Sequence, residues 1–355
     1  MQNFKTLTKT LLTATAITVI SATASILPTV ADFTGQEAFA QTSTMASEER
    51  AAEALAARIA RPRIGSMPGM NERAFKTLTK VQEFMELEPP QYGEAMLLLK
   101  KQNLERLNST ELTSFYQLMA AVAQNQDNID EALGYYKNIL AMESISYAQR
   151  DQMTFIVGQI EFSNGNNELA ISYFEDWLKY QPTPSITNIV VLANVYYASA
   201  LDLEDIPVAA EKYFRNSIEF LNWAIIKAKA DGKEDKENWY AVLRAIHNNL
   251  EEIDKVVFYG ELLATRWPKK EYWTQLSGLY SQAASEDGIS EEDALLLEKK
   301  QFATFDLAFR QGMLDSAREL ETMSQLFLYH ESPYQAAKTM SKSIEDGVSE
   351  KSQRN

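Results

Sequence analysis

No cysteine occurs among the 355 residues, and only two histidines do. The first absence excludes disulfides, a thiolate nucleophile and the lipid-bearing cysteine of a bacterial lipoprotein. The second leaves little for metal chemistry, since His247 and His330 have no other histidine at a ligating interval. Glycine is sparse, with 13 residues, and neither a glycine-rich phosphate loop nor a Gly-x-Ser-x-Gly elbow is found. No segment of convincing length alternates apolar and polar residues as a half-buried strand would. Positive charge is outweighed, 34 Lys and Arg standing against 49 Asp and Glu for a formal net charge of −15. That balance argues against nucleic acid or anionic lipid as the main partner. Its complement is a basic protein surface, although an acidic exterior also serves plain solubility.

The amino terminus has the order of a secretory signal. Lys5 and Lys9 precede a mostly apolar stretch from Leu11 to about Leu27, and Ala38-Phe39-Ala40 follows before Gln41. The expectation is a signal over residues 1–40, cleaved after Ala40, and a periplasmic product. Ala22-Thr23-Ala24 offers an earlier cut, and retention as an uncleaved anchor is the competing reading. From Ala46 to Arg61 the composition is helix-forming, but the apolar positions are mostly alanine. Little can be buried there. Residues 41–70, ending in a basic stretch broken by Pro62, Gly65, Pro68 and Gly69, are therefore expected to be a mobile or partner-dependent helix and linker. Residues 349–355 form a polar tail.

Between them a helix-pair pattern recurs. Trp273, Leu276, Ser277 and Tyr280 share their spacing with Tyr116, Met119, Ala120 and Ala123, the latter set followed by Ala132 and Tyr136. Val157, Gly158, Ala170, Phe174 and Pro182 form another copy, Ile189, Leu192, Ala193 and Tyr196 open a fourth, and Leu320, Met323, Ser324, Phe327, Ala336 and Met340 continue the series. This is the small and large residue spacing of a tetratricopeptide repeat. Small residues such as Gly158 and Ala170, or Ala120 and Ala132, let two antiparallel helices approach closely, while Pro182 and Pro268 separate one pair from the next. Asn164-Gly165-Asn166 supplies a tight turn. The expected fold is all-α, a right-handed α-solenoid of about seven tetratricopeptide-like helix pairs over residues 71–348. The first pair places Phe75, Leu78 and Phe84 on one helix and Ala95, Leu98 and Leu99 on the other, joined through Pro89-Pro90. The fourth pair is stretched around Leu201 to Pro207 and the sixth carries an insertion at Ser285 to Gly288. Arg244 and Trp177 stand where the repeat usually has small residues.

The carboxy-terminal half holds longer strings: Lys236-Glu237-Asn238-Trp239-Tyr240, Pro268-Lys269-Lys270-Glu271-Tyr272-Trp273, Ala308-Phe309-Arg310-Gln311-Gly312 and Pro333-Tyr334-Gln335-Ala336-Ala337. In these the chain resembles periplasmic tetratricopeptide proteins encoded beside the TonB, ExbB and ExbD energy-transduction genes. The resemblance implies an accessory role in TonB-dependent uptake across the outer membrane, typically of iron chelates, through contact with the transduction complex.

The residues themselves point to binding rather than catalysis. His247 falls on the aromatic core position of the fifth pair, and the adjacent acids Glu251-Glu252 and Glu291-Glu292 point apart on a helix. No cofactor, metal or small-molecule substrate is expected. A helical-solenoid cell-wall hydrolase would need a separate catalytic domain, for which no repeat-free stretch is long enough. An envelope-assembly or peptidoglycan-associated scaffold is the alternative. In such repeats the first helices line a concave face, and the positions left over from packing are Gln117, Gln124, Gln159, Phe162, Asn194, Tyr197, Ala241 and Asn248. Amides and aromatics suit an extended peptide backbone. A carboxylate clamp is disfavoured because Val190 stands where its lysine would be.

Overall fold

The computed structural model describes residues 34–203, 206–286 and 288–348. Most of the expected signal, up to residue 33, and the tail from residue 349 lie outside the described residues, and the expected cleavage point after Ala40 falls within the first described helix, α1 (Thr34–Ala60). The described residues from 40 to 348 fall in one compact unit.

Within that unit the helices come in antiparallel neighbours: α2 (Glu72–Glu86) with α3 (Tyr92–Lys100), α4 (Ser109–Asn125) with α5 (Ile129–Leu140), and α6 (Tyr147–Ser163) with α7 (Asn167–Leu178). Next come α8 (Ile186–Leu201) with α9 (Pro207–Ala230), α10 (Glu237–Asn249) with α11 (Ile253–Arg266), α12 (Lys270–Ala283) with α13 (Glu291–Arg310), and α14 (Ala317–Tyr329) with α15 (Pro333–Glu345). Each of these seven pairs packs on the next in sequence order, and no strand occurs among the described residues. The fold is an all-α solenoid, as the periodicity implied.

Local chemistry explains where the helices start. Asn71, Asn108, Ser146, Ser185, Ser290 and Ser316 each accept a backbone N–H of the first turn through the side chain, and at Asn108, Ser146 and Ser316 the third helical residue returns the bond. The turn inside a pair follows one design in four repeats. A left-handed residue, Asp127, Gly165, Glu251 or Glu331, is followed by a residue whose N–H reaches back to Ala123, Glu161, His247 or Phe327 carbonyl oxygen. This is a Schellman ending that leads directly into the next helix. Of the four only Gly165 was legible as a turn glycine, because the other three positions hold acids with φ between 55° and 59°.

Close crossings use small residues in two ways. A Cβ on Gly158 would lie 2.8 Å from Phe174 Cε1, so this glycine makes room for the Phe174 ring, one turn beyond buried Ala170 on α7. In the fourth, sixth and seventh pairs a serine hydroxyl crosses instead: Ser217 donates to the Ala193 carbonyl at 2.8 Å, Ser277 to Gln301 at 3.2 Å and Ser324 to Ala336 at 3.1 Å. The first pair departs from expectation at Phe75, which is 61% exposed while Val81 is fully buried. Trp177, large where the repeat prefers alanine, is buried against Phe155 with ring centroids 4.6 Å apart. Tyrosine hydroxyls tie successive pairs, Tyr196 to Glu175 at 2.7 Å and Tyr280 to Glu261 at 2.6 Å.

Candidate interaction surfaces

All eight residues of the expected inner face lie on first helices, α4, α6, α8 and α10. Gln159, Asn194 and Asn248 are exposed, while Gln117, Phe162, Tyr197 and Ala241 are half-buried. Gln159 with Phe162 and Asn194 with Tyr197 stand three residues apart, which puts each amide beside an aromatic ring on one helix face. The rings also serve packing, Tyr197 lying 6.1 Å from Phe214. Gln124 is half-buried and its Oε1 accepts from the Tyr136 hydroxyl at 3.0 Å, so it belongs to the second pair's packing as much as to any surface.

A second surface was not read from the sequence. The stripe Ser47, Arg50, Ala51, Ala54, Ala57 and Arg61 of α1 and the residue after it is less exposed than its surroundings, and Ala54 is buried. At one end Arg50 pairs with Glu219 of α9 at 2.7 Å, its guanidinium 5.3 Å from the centroid of Phe220, which itself stacks on Tyr196 at 5.4 Å. At the other end Arg61 makes a two-pronged bond to Asp151 of α6, at 2.9 and 2.5 Å. Its guanidinium lies 3.5 Å from the ring centroid of Tyr180 and 4.5 Å from that of Tyr147. The Tyr147 hydroxyl donates to the Pro62 carbonyl at 3.0 Å. Burial opposes the charge on Arg61, but the hydrogen bond and charge of Asp151 outweigh it and hold the guanidinium above its ordinary pKa. The sequence signal was present: two arginines eleven positions apart, with alanines at 51, 54 and 57, occupy one stripe about three turns long.

The linker beyond α1 is fastened along the solenoid too. Thr110 donates to the Pro68 carbonyl at 2.7 Å and Asn108 to that of Gly69 at 2.9 Å. Buried Glu111 accepts from the Asn71 backbone at 2.8 Å.

The titratable groups elsewhere serve packing. His247 is buried, stacks on Tyr259 at 5.4 Å and places Nδ1 2.5 Å from Glu252, which also pairs with Arg215 at 2.6 Å. His330 packs on Phe302 at 4.3 Å. Arg244 is half-buried over Tyr272, and burial lowers its pKa. Among the described residues no group of three or more His, Asp or Glu is placed to hold a metal ion, and no helix is long and apolar enough to cross a membrane.

No family model matches the chain, and no curated protein matches it. Solved structures do. A tetratricopeptide repeat protein from Parabacteroides merdae is similar with a TM-score of 0.41 at 12% identity, over 79% of this chain and 95% of that one. MamA from Desulfovibrio magneticus RS-1 is similar with a TM-score of 0.37 at 14% identity, over 56% of this chain and 96% of that one. The TPR2AB domain of yeast Sti1, in complex with an HSP90 peptide, is similar with a TM-score of 0.32 at 14% identity, over 75% and 98% of the two chains.

Proposed function

We propose that the protein is a noncatalytic protein-binding scaffold and, within that reading, a periplasmic accessory to TonB-dependent energy transduction. The observation that carries the scaffold is an exposed amide on each of three successive first helices, Gln159 on α6 and Asn194 on α8 at the same register and Asn248 one turn further along α10. Exposed amides on neighbouring helices offer both donors and acceptors to the backbone of an extended chain. The narrower role rests on the sequence resemblance, which spans about residues 71–348 and is strongest after Asn238.

Deleting the gene is the test. Growth on chelated iron or another TonB-dependent nutrient should fall while growth on freely diffusing nutrients is unchanged, and periplasmic pull-downs should recover a transduction component. Normal growth on every TonB-dependent nutrient, with wall or assembly factors recovered instead, would assign the scaffold to envelope assembly.

A further inference from the structure

The socket that holds Arg61 has the geometry of an arginine site. Asp151 meets the Arg61 guanidinium with both carboxylate oxygens, Tyr147 and Tyr180 lie within stacking distance of it, and the side chains of Arg61 and Asp151 are only 8% and 15% exposed. A planar fork with a carboxylate in its plane and aromatic rings against it is a geometry that the point charge of lysine cannot fill. A second acid with an aromatic neighbour, Glu219 with Phe220, waits about three turns away along the helix.

The occupant, by contrast, is loosely suited to being permanent. Its inward stripe between the arginines is alanine, which offers little apolar area. Its larger apolar side chains point the other way, Leu55 being 49% and Ile59 75% exposed. A helix belonging to the core would turn those two inward. The solenoid meanwhile has four apolar clusters of its own, in which Ala54 has no part. One closely fitted socket at Arg61, a looser one at Arg50 and a weakly apolar helix between them are the arrangement of a site whose resident is exchangeable.

We propose that the face of repeats three and four formed by Tyr147, Asp151, Tyr180, Glu219 and Phe220 is a docking site for an arginine-bearing helix of a partner protein, with α1 occupying it in cis until displaced. The partner helix carries an arginine at its carboxy-terminal end and another about three turns earlier, with small residues between. The net charge of −15 and the two acidic sockets select such a basic partner. This face is separate from the amides Gln159, Asn194 and Asn248, which remain exposed with α1 in place, so the inference stands whether or not the TonB reading does.

The probe is a fluorescent peptide of residues 47–64 added to the full chain, read by anisotropy. A tethered competitor acts at a high effective concentration, so the wild-type chain should bind the peptide weakly. A chain carrying Arg50→Ala and Arg61→Ala, which loosens α1 and leaves the sockets intact, should bind it at least about tenfold more tightly. Peptides carrying Arg61→Lys or Arg61→Ala should lose at least about tenfold against that same chain; because these changes lie in the peptide, the protein's folding does not enter. Three outcomes would overturn the proposal: equal affinity of wild-type and loosened chains while hydrogen exchange shows α1 released, equal binding of the lysine and arginine peptides, or dimerisation of the loosened chain that the peptide reverses. The last would assign the face to a second copy of this chain.

Discussion

Phe174 presses its ring where Gly158 has no side chain, with Cε1 2.8 Å and Cδ1 3.0 Å from the site of a Cβ. Gly158→Leu must displace that buried ring, and overpacking of this kind costs about 1–3 kcal/mol. Thermal melting should show the loss, and an unchanged midpoint would move the crossing elsewhere. Backbone strain gives the opposite sign at Glu251, whose φ of 57° puts a non-glycine residue in the left-handed region. Glu251→Gly removes a cost of about 1–2 kcal/mol, partly offset by the greater freedom of glycine in the unfolded chain, so the denaturant midpoint should rise modestly. A fall would mean that the turn is not strained. His247 adds a pH dependence. Burial lowers its pKa from the ordinary 6.5, against the pull of Glu252 and with Arg215 and Lys255 nearby. The unfolded chain therefore takes up the proton first, and stability should decline as pH drops below about 6.5. Glu252, held low chiefly by its bond to Arg215, contributes stability above its ordinary value of 4.5 that is lost only at more acid pH. His247→Phe should flatten the urea midpoint between pH 7.5 and 5.5; a wild-type midpoint that is already level there contradicts the assignment.

At the scale of elements, the pairs were legible because their determinants are local. Pro207, Gly232, Pro268 and Gly312 punctuate the chain within a few residues of the helix ends, and the small residues at 120, 158, 193, 277 and 324 mark the first helices. What stayed hidden depends on partners distant in sequence or on residue types that disguise a conformation. Arg61 meets Asp151 ninety residues away, and the stripe of small alanines between Arg50 and Arg61 marks a docked face only once those partners are known. Asp127, Glu251 and Glu331 fill turn positions where glycine is the usual sign. The eight inner-face residues were found by repeat position, yet Gln124 could not be seen to bond Tyr136. A similar hidden determinant joins the second pair to the third. Glu161 of α6 is buried, paired with Lys137 of α5 at 2.6 Å and accepting from Asn166 at 2.8 Å. Burial raises its pKa, but these two partners more than compensate and hold the carboxyl below its usual range. Lys137→Met leaves a buried charge with one amide donor. The cost of breaking a buried pair is about 3–5 kcal/mol, and the exposure of Lys137 reduces the expectation to about 1–2 kcal/mol. Adding Glu161→Gln should recover part of it; a melting point insensitive to Lys137→Met would show that the pair does not link the repeats.

For the molecule as a whole, repetition separates what holds the solenoid together from what it presents. Among the described residues the main contacts of each pair are with its sequence neighbours, so stability is distributed and a few exposed substitutions on one face leave it nearly unchanged. That makes the inner face testable without unfolding it. Phe162 and Tyr197 are poor choices for a charge because they share in packing, whereas Gln159, Asn194 and Asn248 are exposed on three successive first helices. Replacing these three with arginine blocks the row of amides and reverses the local charge of an acidic protein. Each change alone should shift stability by no more than about 0.5 kcal/mol, while together they should reproduce the growth defect of the gene deletion and abolish partner capture at normal protein abundance. Salt separates the contributions further. If the chain's net charge of −15 steers a basic partner, raising ionic strength should slow association and leave dissociation nearly constant. A triple variant that still captures its partner and supports growth would show that the first-helix face is solvent-facing surface only, and would leave the arginine sockets of repeats three and four as the protein's means of binding.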